Sequence, residues 1–189
     1  MSIFRTSRPV RRAALFTTAL ALPVLLGACD KGGESVSPNT VPSATTPSTG
    51  DTRCRTAELR ASVGRLDSGA GQRNLPVVLT NDSDRTCTVR GYPGAVFVDA
   101  SGKRLGPVPQ HSEATPTPVE LAPGDSAWAG LSFTNPELSE AETATPAELL
   151  VTPPDEGDEL EVAWEAGEVP VGGKKSSVFL TVLAPGTGP

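Results

Sequence analysis

The residues available for acid–base chemistry are few, because this chain of 189 residues contains one histidine. That residue, His111, lies in the proline-rich stretch 107–118. Ser126 is the candidate nucleophile, since it completes a Gly-Asp-Ser order with Gly124 and Asp125. However, Ser126 follows a Pro-Gly turn within an alternating pattern, His111 precedes it, and no Gly-x-Ser-x-Gly elbow is present. We therefore predict no catalytic residue, and keep an enzyme with an unrecognised site as the alternative.

An acidic cluster offers oxygen ligands for a cation. Its carboxylates lie on both sides of Gly157 and belong to Asp155, Glu156, Asp158 and Glu159. Calcium prefers flexible loops rich in oxygen ligands, but the cluster lacks the spacing of an EF-hand loop. These four residues are weak candidates for a calcium-assisted adhesion site, and the prediction for the chain is no metal and no cofactor.

The N-terminal segment has the order of an export signal. Its first 12 residues carry four arginines and no acidic residue, and residues 13–26 are almost wholly apolar. That run is too short to span a bilayer comfortably, which takes ~20 apolar residues. It ends at Leu26-Gly27-Ala28-Cys29, which resembles the lipobox of bacterial lipoproteins. We predict a signal peptide at residues 1–28 and lipidation of Cys29, with an uncleaved membrane anchor as the alternative.

Lipidation of Cys29 predicts an extracytoplasmic protein held at the outer face of the cell membrane. Two acyl chains suffice for stable anchoring, at ~0.8 kcal/mol for each buried CH₂ group. Residues 29–52 are dense in Ser, Thr, Pro and Gly, and they hold too little apolar surface to fold. They predict a disordered tether that holds the rest of the chain away from the membrane. The pair Arg11-Arg12 leaves both the general and the twin-arginine export routes open.

The charge of the mature chain argues against nucleic acid as a partner. Loss of the four signal arginines leaves 12 of the 16 basic residues against 22 acidic ones, a formal charge of −10. Phosphate neutralisation requires a basic patch, which this balance disfavours.

Two cysteines, Cys54 and Cys87, remain once Cys29 carries lipid. An oxidising compartment permits a disulfide between them, and a loop of this length would contribute about 3–4 kcal/mol. A zinc site and a redox pair are the alternatives. Zinc needs more ligands than two cysteines and His111 readily supply, and no C-x-x-C motif is present.

Residues 53–186 contain Gly, Pro, Asn and Asp, the usual turn residues, at short intervals, and no long segment has helical periodicity. One helix is weakly indicated, at residues 136–143. In residues 126–134 the apolar residues alternate, which places Trp128 and Ser132 on the face opposite Ala127 and Phe133. Short strands separated by turns predict an all-β sandwich. The predicted strands are residues 59–66, 75–80, 86–89, 95–98, 119–121, 126–134, 148–152, 159–164 and 177–183.

The turn Gly91-Tyr92-Pro93-Gly94 is the best candidate for a recognition loop. A tyrosine gives a rigid amphipathic contact surface, and loops at the end of a sandwich commonly bind partners. In the structural alternative, which we favour, Tyr92 caps the core beside a disulfide.

Several of these motifs together resemble a known family, the domain of unknown function 4232, found mostly in exported actinobacterial proteins and lipoproteins. The resemblance runs from about residue 54 to residue 183. It implies an Ig-like antiparallel β-sandwich with Cys54 bonded to Cys87, and it implies no reaction. Relatives with a second cysteine pair carry it in the C-terminal third, where this chain has none. Loops 137–146 and 165–175 are therefore expected to be looser than in those relatives. The motifs are Cys54, Asn81-Asp82-Ser83 with Cys87, Arg90-Gly91-Tyr92-Pro93-Gly94, Asp99-Ala100-Ser101-Gly102 and Leu121-Ala122-Pro123-Gly124.

Taken together, the sequence predicts a tethered extracytoplasmic head that binds an envelope protein or cell-wall glycan, or has a structural role in the envelope. An envelope hydrolase and a calcium-assisted adhesion module are the alternatives.

Overall fold

Two main β-sheets with one shared hydrophobic core form residues 52–189, the part of the chain that the computed structural model describes. In chain order the strands are β1 (Leu59–Val63), β2 (Asp67–Gly69), β3 (Gln72–Asn81), β4 (Cys87–Val89), β5 (Gly94–Val98), β6 (Arg104–Leu105), β7 (Gln110–His111), β8 (Val119–Leu121), β9 (Ser126–Thr134), β10 (Ala141–Ala144), β11 (Glu148–Thr152), β12 (Leu160–Ala163), β13 (Val169–Gly173), β14 (Val178–Leu180) and β15 (Ala184–Pro185).

The larger sheet has the strand order β1-β3-β9-β14-β7, with β2 beside β3 and β15 beside β9. The smaller sheet has the order β12-β11-β5-β6, and two further pairs are formed by β4 with β8 and by β10 with β13. Neighbouring strands are antiparallel except β7 and β14, which run parallel. The predicted all-β sandwich is confirmed, and all nine predicted strand segments contain an observed strand.

The long antiparallel pair β3–β9 is the centre of the larger sheet. Its register runs from Gln72 opposite Thr134 to Thr80 opposite Ser126. Alternate side chains of a strand point to opposite faces, so every second residue of β9 faces the core. Ala127, Ala129, Leu131 and Phe133 are fully buried, as the alternation predicts. Trp128 and Ser132 therefore lie on the outer face of this sheet.

The smaller sheet closes the core from the other side. Leu149 and Val151 of β11 are fully buried, and they lie on the same face as Phe97 of the neighbouring β5. Phe97 meets Trp164 edge to face, with ring centroids 4.9 Å apart. Each large apolar side chain buried in this way contributes about 1.5–3 kcal/mol relative to exposure.

The weak prediction of a helix at residues 136–143 is wrong. A 3₁₀ turn occupies Pro136–Leu138, capped by the Asn135 side chain, which accepts a hydrogen bond from the Glu137 amide. The chain then continues as strand β10, which pairs with β13. The two segments expected to be loose loops therefore supply each other's hydrogen-bond partners. This long-range pairing overrides a weak local helix preference.

Within residues 52–189 no helix has the length and apolar character needed to cross a bilayer. The predicted signal peptide, Cys29 and the tether up to residue 51 lie outside the described residues and stay predictions.

Candidate functional site

The predicted disulfide is present between Cys54 and Cys87, whose Cα atoms are 4.9 Å apart. Both residues are buried, and because their sulfur atoms are bonded to each other, neither is left as a free thiol for zinc binding or redox chemistry. Beside the bond, the Cys54 amide donates to the Thr88 carbonyl, and the Thr88 amide donates to the Thr52 carbonyl. The N-terminal edge of the described chain is therefore fixed to β4. We call this region the disulfide end, formed by residues 52–58, 81–89 and 156.

Asn81 organises the turn at the disulfide end from a fully buried position. Its Nδ2 donates to the carbonyls of Arg85 at 2.7 Å and Leu121 at 2.9 Å. Its Oδ1 accepts hydrogen bonds from the amide and the hydroxyl of Ser83. The Asn-Asp-Ser motif therefore serves as a structural turn.

An ion pair joins two further segments of the disulfide end. Arg85 Nε donates to Glu58 Oε1 at 2.7 Å, and the Arg85 Nη2 group donates to Glu58 Oε2. The Glu58 side chain is 22% exposed, so the pair is partly shielded from water. The hydrogen bond from Arg85 is the main cause that lowers the pKa of the Glu58 carboxyl below its ordinary value.

The acidic cluster proposed for a cation is tied to the same end of the domain. Glu156 Oε2 accepts hydrogen bonds from the amide of Thr56 at 3.0 Å and from its hydroxyl at 3.1 Å. The carbonyl of Asp155 accepts from Arg53. Asp158 and Glu159 are exposed. Residues 52–189 contain no group of three or more carboxylate, histidine or cysteine side chains placed to hold a metal ion.

Tyr92, the recognition candidate, holds the proline-rich loop in place. Its ring stacks on the imidazole of His111, with centroids 4.2 Å apart and planes within 4°. Its hydroxyl donates to the Ser112 carbonyl at 2.6 Å and lies 3.1 Å from the carbonyl of Ala114. Pro93 is buried and Gly94 is exposed. These contacts favour a structural role for Tyr92, although its capping partner is the loop around His111.

Ser126 and His111 have separate structural partners. The Ser126 hydroxyl lies 2.9 Å from that of Thr80 on the neighbouring strand. Asp125 closes its own turn, because its Oδ2 accepts a hydrogen bond from the Ala122 amide. The triad logic requires a base within hydrogen-bond reach of the nucleophile, and the observed partner of Ser126 is a hydroxyl.

A groove of about 560 Å³ opens beside Trp128 on the outer face of the larger sheet. Its floor contains Pro76, Trp128 and Gly130, one wall is formed by residues 65–67 with Asn74, and the other by residues 187–189. We call this feature the Trp128 groove. Its volume lies within the range of small-ligand sites.

The indole of Trp128 lies along its strand over Gly130. A Cβ atom at position 130 would stand 3.6 Å from Trp128 Cζ3 and 3.4 Å from Thr181 Cγ2. Glycine in a strand interior often marks such a close approach. Trp128 is half-buried, so part of the ring remains open to the groove.

Polar groups in the groove have no partner within residues 52–189. The side chains of Arg65, Asp67 and Asn74 are exposed and make no hydrogen bond or ion pair there. The Trp128 Nε1–H is also without a partner in that part of the chain. Since no buried side-chain nitrogen or oxygen in the same residues is unpaired, this N–H faces solvent. These four groups are available to a ligand.

The sequence pattern places Trp128 on the outer face, but it does not reveal the groove. The missing information is long-range, because residues 65–67 and 187–189 lie far from Trp128 along the chain. The last three residues also lie beyond the predicted end of the domain at residue 186. The usable signal is a tryptophan two residues before a glycine within an alternating strand.

Comparison with known proteins identifies the family and little more. No curated protein matches the chain. The family model described as domain of unknown function DUF4232 matches residues 54–183, which is more than half of the chain and nearly all of the sandwich. The chain therefore belongs to the family of the domain of unknown function 4232.

Proposed function

We propose that the protein is a lipid-anchored extracytoplasmic binding module without enzymatic activity, which presents the Trp128 groove to the cell envelope. The predicted lipobox at Cys29 and the predicted tether that follows it support the location. The disulfide between Cys54 and Cys87 supports it independently, since such bonds persist in oxidising compartments.

The observation that carries the proposal is the Trp128 groove itself. It combines an open aromatic surface with polar side chains that have no partner in the described residues. Such a combination is the usual form of a binding site. The candidate catalytic residues support binding over reaction, because Ser126 bonds Thr80 and His111 stacks on Tyr92.

The binding proposal is tested with the mature chain made without lipid, as the Cys29→Ser variant of residues 29–189. This protein is mixed with washed envelope fragments, and the sedimenting fraction is measured over a range of fragment concentrations. Trp128→Ala should weaken retention at least about tenfold, because it removes the apolar ring from the floor. The matched control is Phe179→Ala, since Phe179 lies on the same outer face, is 41% exposed and does not line the groove. Equal retention of the parent protein and both variants would contradict a binding role for the groove.

The anchor is tested separately in cells. The full-length chain should incorporate an alkyne-labelled fatty acid, and Cys29→Ser should abolish the label. An unlabelled parent protein would contradict lipidation of Cys29, and the proposal that the groove binds a ligand would still stand.

A further inference from the structure

We propose that the Trp128 groove binds a neutral saccharide of an envelope glycan. This inference rests on the proposed binding function and names the chemical class of its ligand. Four properties of the groove lead to it: its aromatic floor, the hydrogen-bonding groups of its rim, its charge and the pairing of its main chain.

The floor matches the apolar face of a sugar ring. Trp128 lies over Gly130 with part of its ring open, and Pro76 continues the apolar surface on the neighbouring strand. A pyranose ring has one face rich in C–H groups, which loses contact with water when it stacks on an indole. The solvent-facing Nε1–H at the ring edge adds a hydrogen-bond donor for a hydroxyl.

The rim matches the hydroxyl groups around that ring. Arg65 offers only donors, Asp67 offers only acceptors, and Asn74 offers both. Sugar hydroxyls donate and accept, so a mixed rim can satisfy them. Asp67 and Asn74 are opposite each other in the pairing of β2 with β3, which places both on the outer face beside the groove.

The charge of the groove favours a neutral ligand over an anionic polymer. Arg65 and Asp67 stand on the same wall, so their formal charges cancel. The surrounding mature chain carries a formal charge of −10, which repels polyanions at long range.

The pairing of the main chain disfavours an extended peptide. Strand β9 is bonded to β3 on one side and to β14 and β15 on the other. Between the last two strands, the amide of Gly130 donates to the hydroxyl of Thr181 at 2.7 Å. Peptides that add to a sheet need a free strand edge. The main chain of the groove floor is therefore already paired, which suits a ligand that brings its own donors and acceptors.

The experiment is a calorimetric titration of the lipid-free mature chain, as the Cys29→Ser variant. The probes are neutral oligosaccharides of hexoses, pentoses and N-acetylhexosamines, together with an acidic polysaccharide and an oligoproline. At least one neutral oligosaccharide should bind saturably, and the acidic polysaccharide and oligoproline should not. The inference is overturned if no neutral oligosaccharide binds, or if either comparison probe binds more tightly.

Variants then assign the binding to the groove. Trp128→Ala should weaken saccharide binding at least about tenfold through loss of the apolar floor. Asp67→Asn and Asn74→Ala should each weaken it about threefold to tenfold, the effect of one lost hydrogen bond. Both rim residues are exposed, so these variants keep the test informative if Trp128→Ala fails to fold. Phe179→Ala should bind as the parent protein does. Saccharide binding that is unchanged in Trp128→Ala, Asp67→Asn and Asn74→Ala would overturn the assignment.

Two outcomes separate this inference from the function on which it rests. Trp128-dependent binding to envelope fragments, without binding to any neutral oligosaccharide, would overturn the saccharide class and leave the binding function standing. If the protein binds neither envelope fragments nor any neutral oligosaccharide, the saccharide class and the binding function are both overturned.

Discussion

The polar groups of the disulfide end have hydrogen-bond partners within the domain, whereas those of the Trp128 groove have none in residues 52–189. At the disulfide end, buried Asn81 makes hydrogen bonds through its side-chain nitrogen and its side-chain oxygen, and Glu58 is paired with Arg85. In the groove, Asp67, Asn74 and the Trp128 N–H have no partner in residues 52–189.

This difference separates the residues that hold the fold from those that remain available to a ligand. A buried polar group without a partner costs about 1–3 kcal/mol, so the disulfide end must satisfy its groups internally. A solvent-facing group keeps its bonds to water and costs folding little. Substitutions should therefore have large effects on stability at the disulfide end and small ones in the groove.

The largest effect on stability is expected from the disulfide. Replacing both residues together, Cys54→Ala with Cys87→Ala, should lower the free energy of unfolding by about 3–4 kcal/mol, because a cross-link spanning 33 residues restricts the unfolded chain. Denaturation in guanidinium measures this loss. Free-thiol titration of the unfolded, unreduced mature chain with Cys29→Ser should find no thiol. A loss below about 1 kcal/mol would show that the disulfide contributes little to holding the fold.

Asn81 should give the next largest effect. Asn81→Ala removes its hydrogen bonds to the carbonyls of Leu121 and Arg85 and from the Ser83 amide, which should lower the free energy of unfolding by about 2–3 kcal/mol. The neighbouring Asp82→Ala is the control. Asp82 is exposed and faces Arg60 at 3.9 Å, so its loss should change stability by less than about 0.5 kcal/mol. Equal effects of the two substitutions in urea denaturation would show that burial of the Asn81 amide contributes nothing.

The sequence identifies the turn at Asn81 but not its connections. Asn-Asp-Ser-Asp is a turn signal because asparagine and aspartate bond their own backbone two residues later, as Asn81 does with Ser83. The bond to Leu121 spans 40 residues and depends on the pairing of β4 with β8. Local chemistry is therefore readable from residue types, whereas the long-range partner follows from the fold.

The pH dependence of stability tests the ion pair of the disulfide end. The pKa of Glu58 is lowered from its ordinary value of 4.5, chiefly by the hydrogen bond from Arg85. A lowered folded-state pKa gives stability that is present above the unfolded value and is lost as the pH falls through the folded value. Glu58→Gln should therefore cost about 1 kcal/mol at neutral pH, and the difference from the parent protein should vanish in strong acid. Thermal unfolding between pH 7 and pH 2 measures it. A difference that persists unchanged at the acid end would show that charge has no part in the interaction.

The Trp128 groove also depends on contacts that are distant in the sequence. Alternation places Trp128 outward, and the strand register confirms it. The walls come from residues 65–67 and 187–189, which approach Trp128 only after β3 and β15 have paired with β9. A binding surface assembled from three distant segments carries no local motif, so the sequence points to the Tyr92 loop instead.

The smallest effect on stability is expected from the rim of the groove, where a substitution should weaken binding without weakening the fold. Asp67→Asn and Asn74→Ala remove groups that face solvent and have no partner in residues 52–189, so each should change the free energy of unfolding by less than about 0.5 kcal/mol. The same substitutions should weaken retention on envelope fragments, because these side chains have no partner in residues 52–189 and can exchange water for a bound ligand. Denaturation midpoints and sedimentation binding curves from one set of samples measure both quantities. A rim variant that loses stability together with binding would place the groove among the regions that hold the fold, and a variant that loses neither would leave its polar groups without a role in recognition.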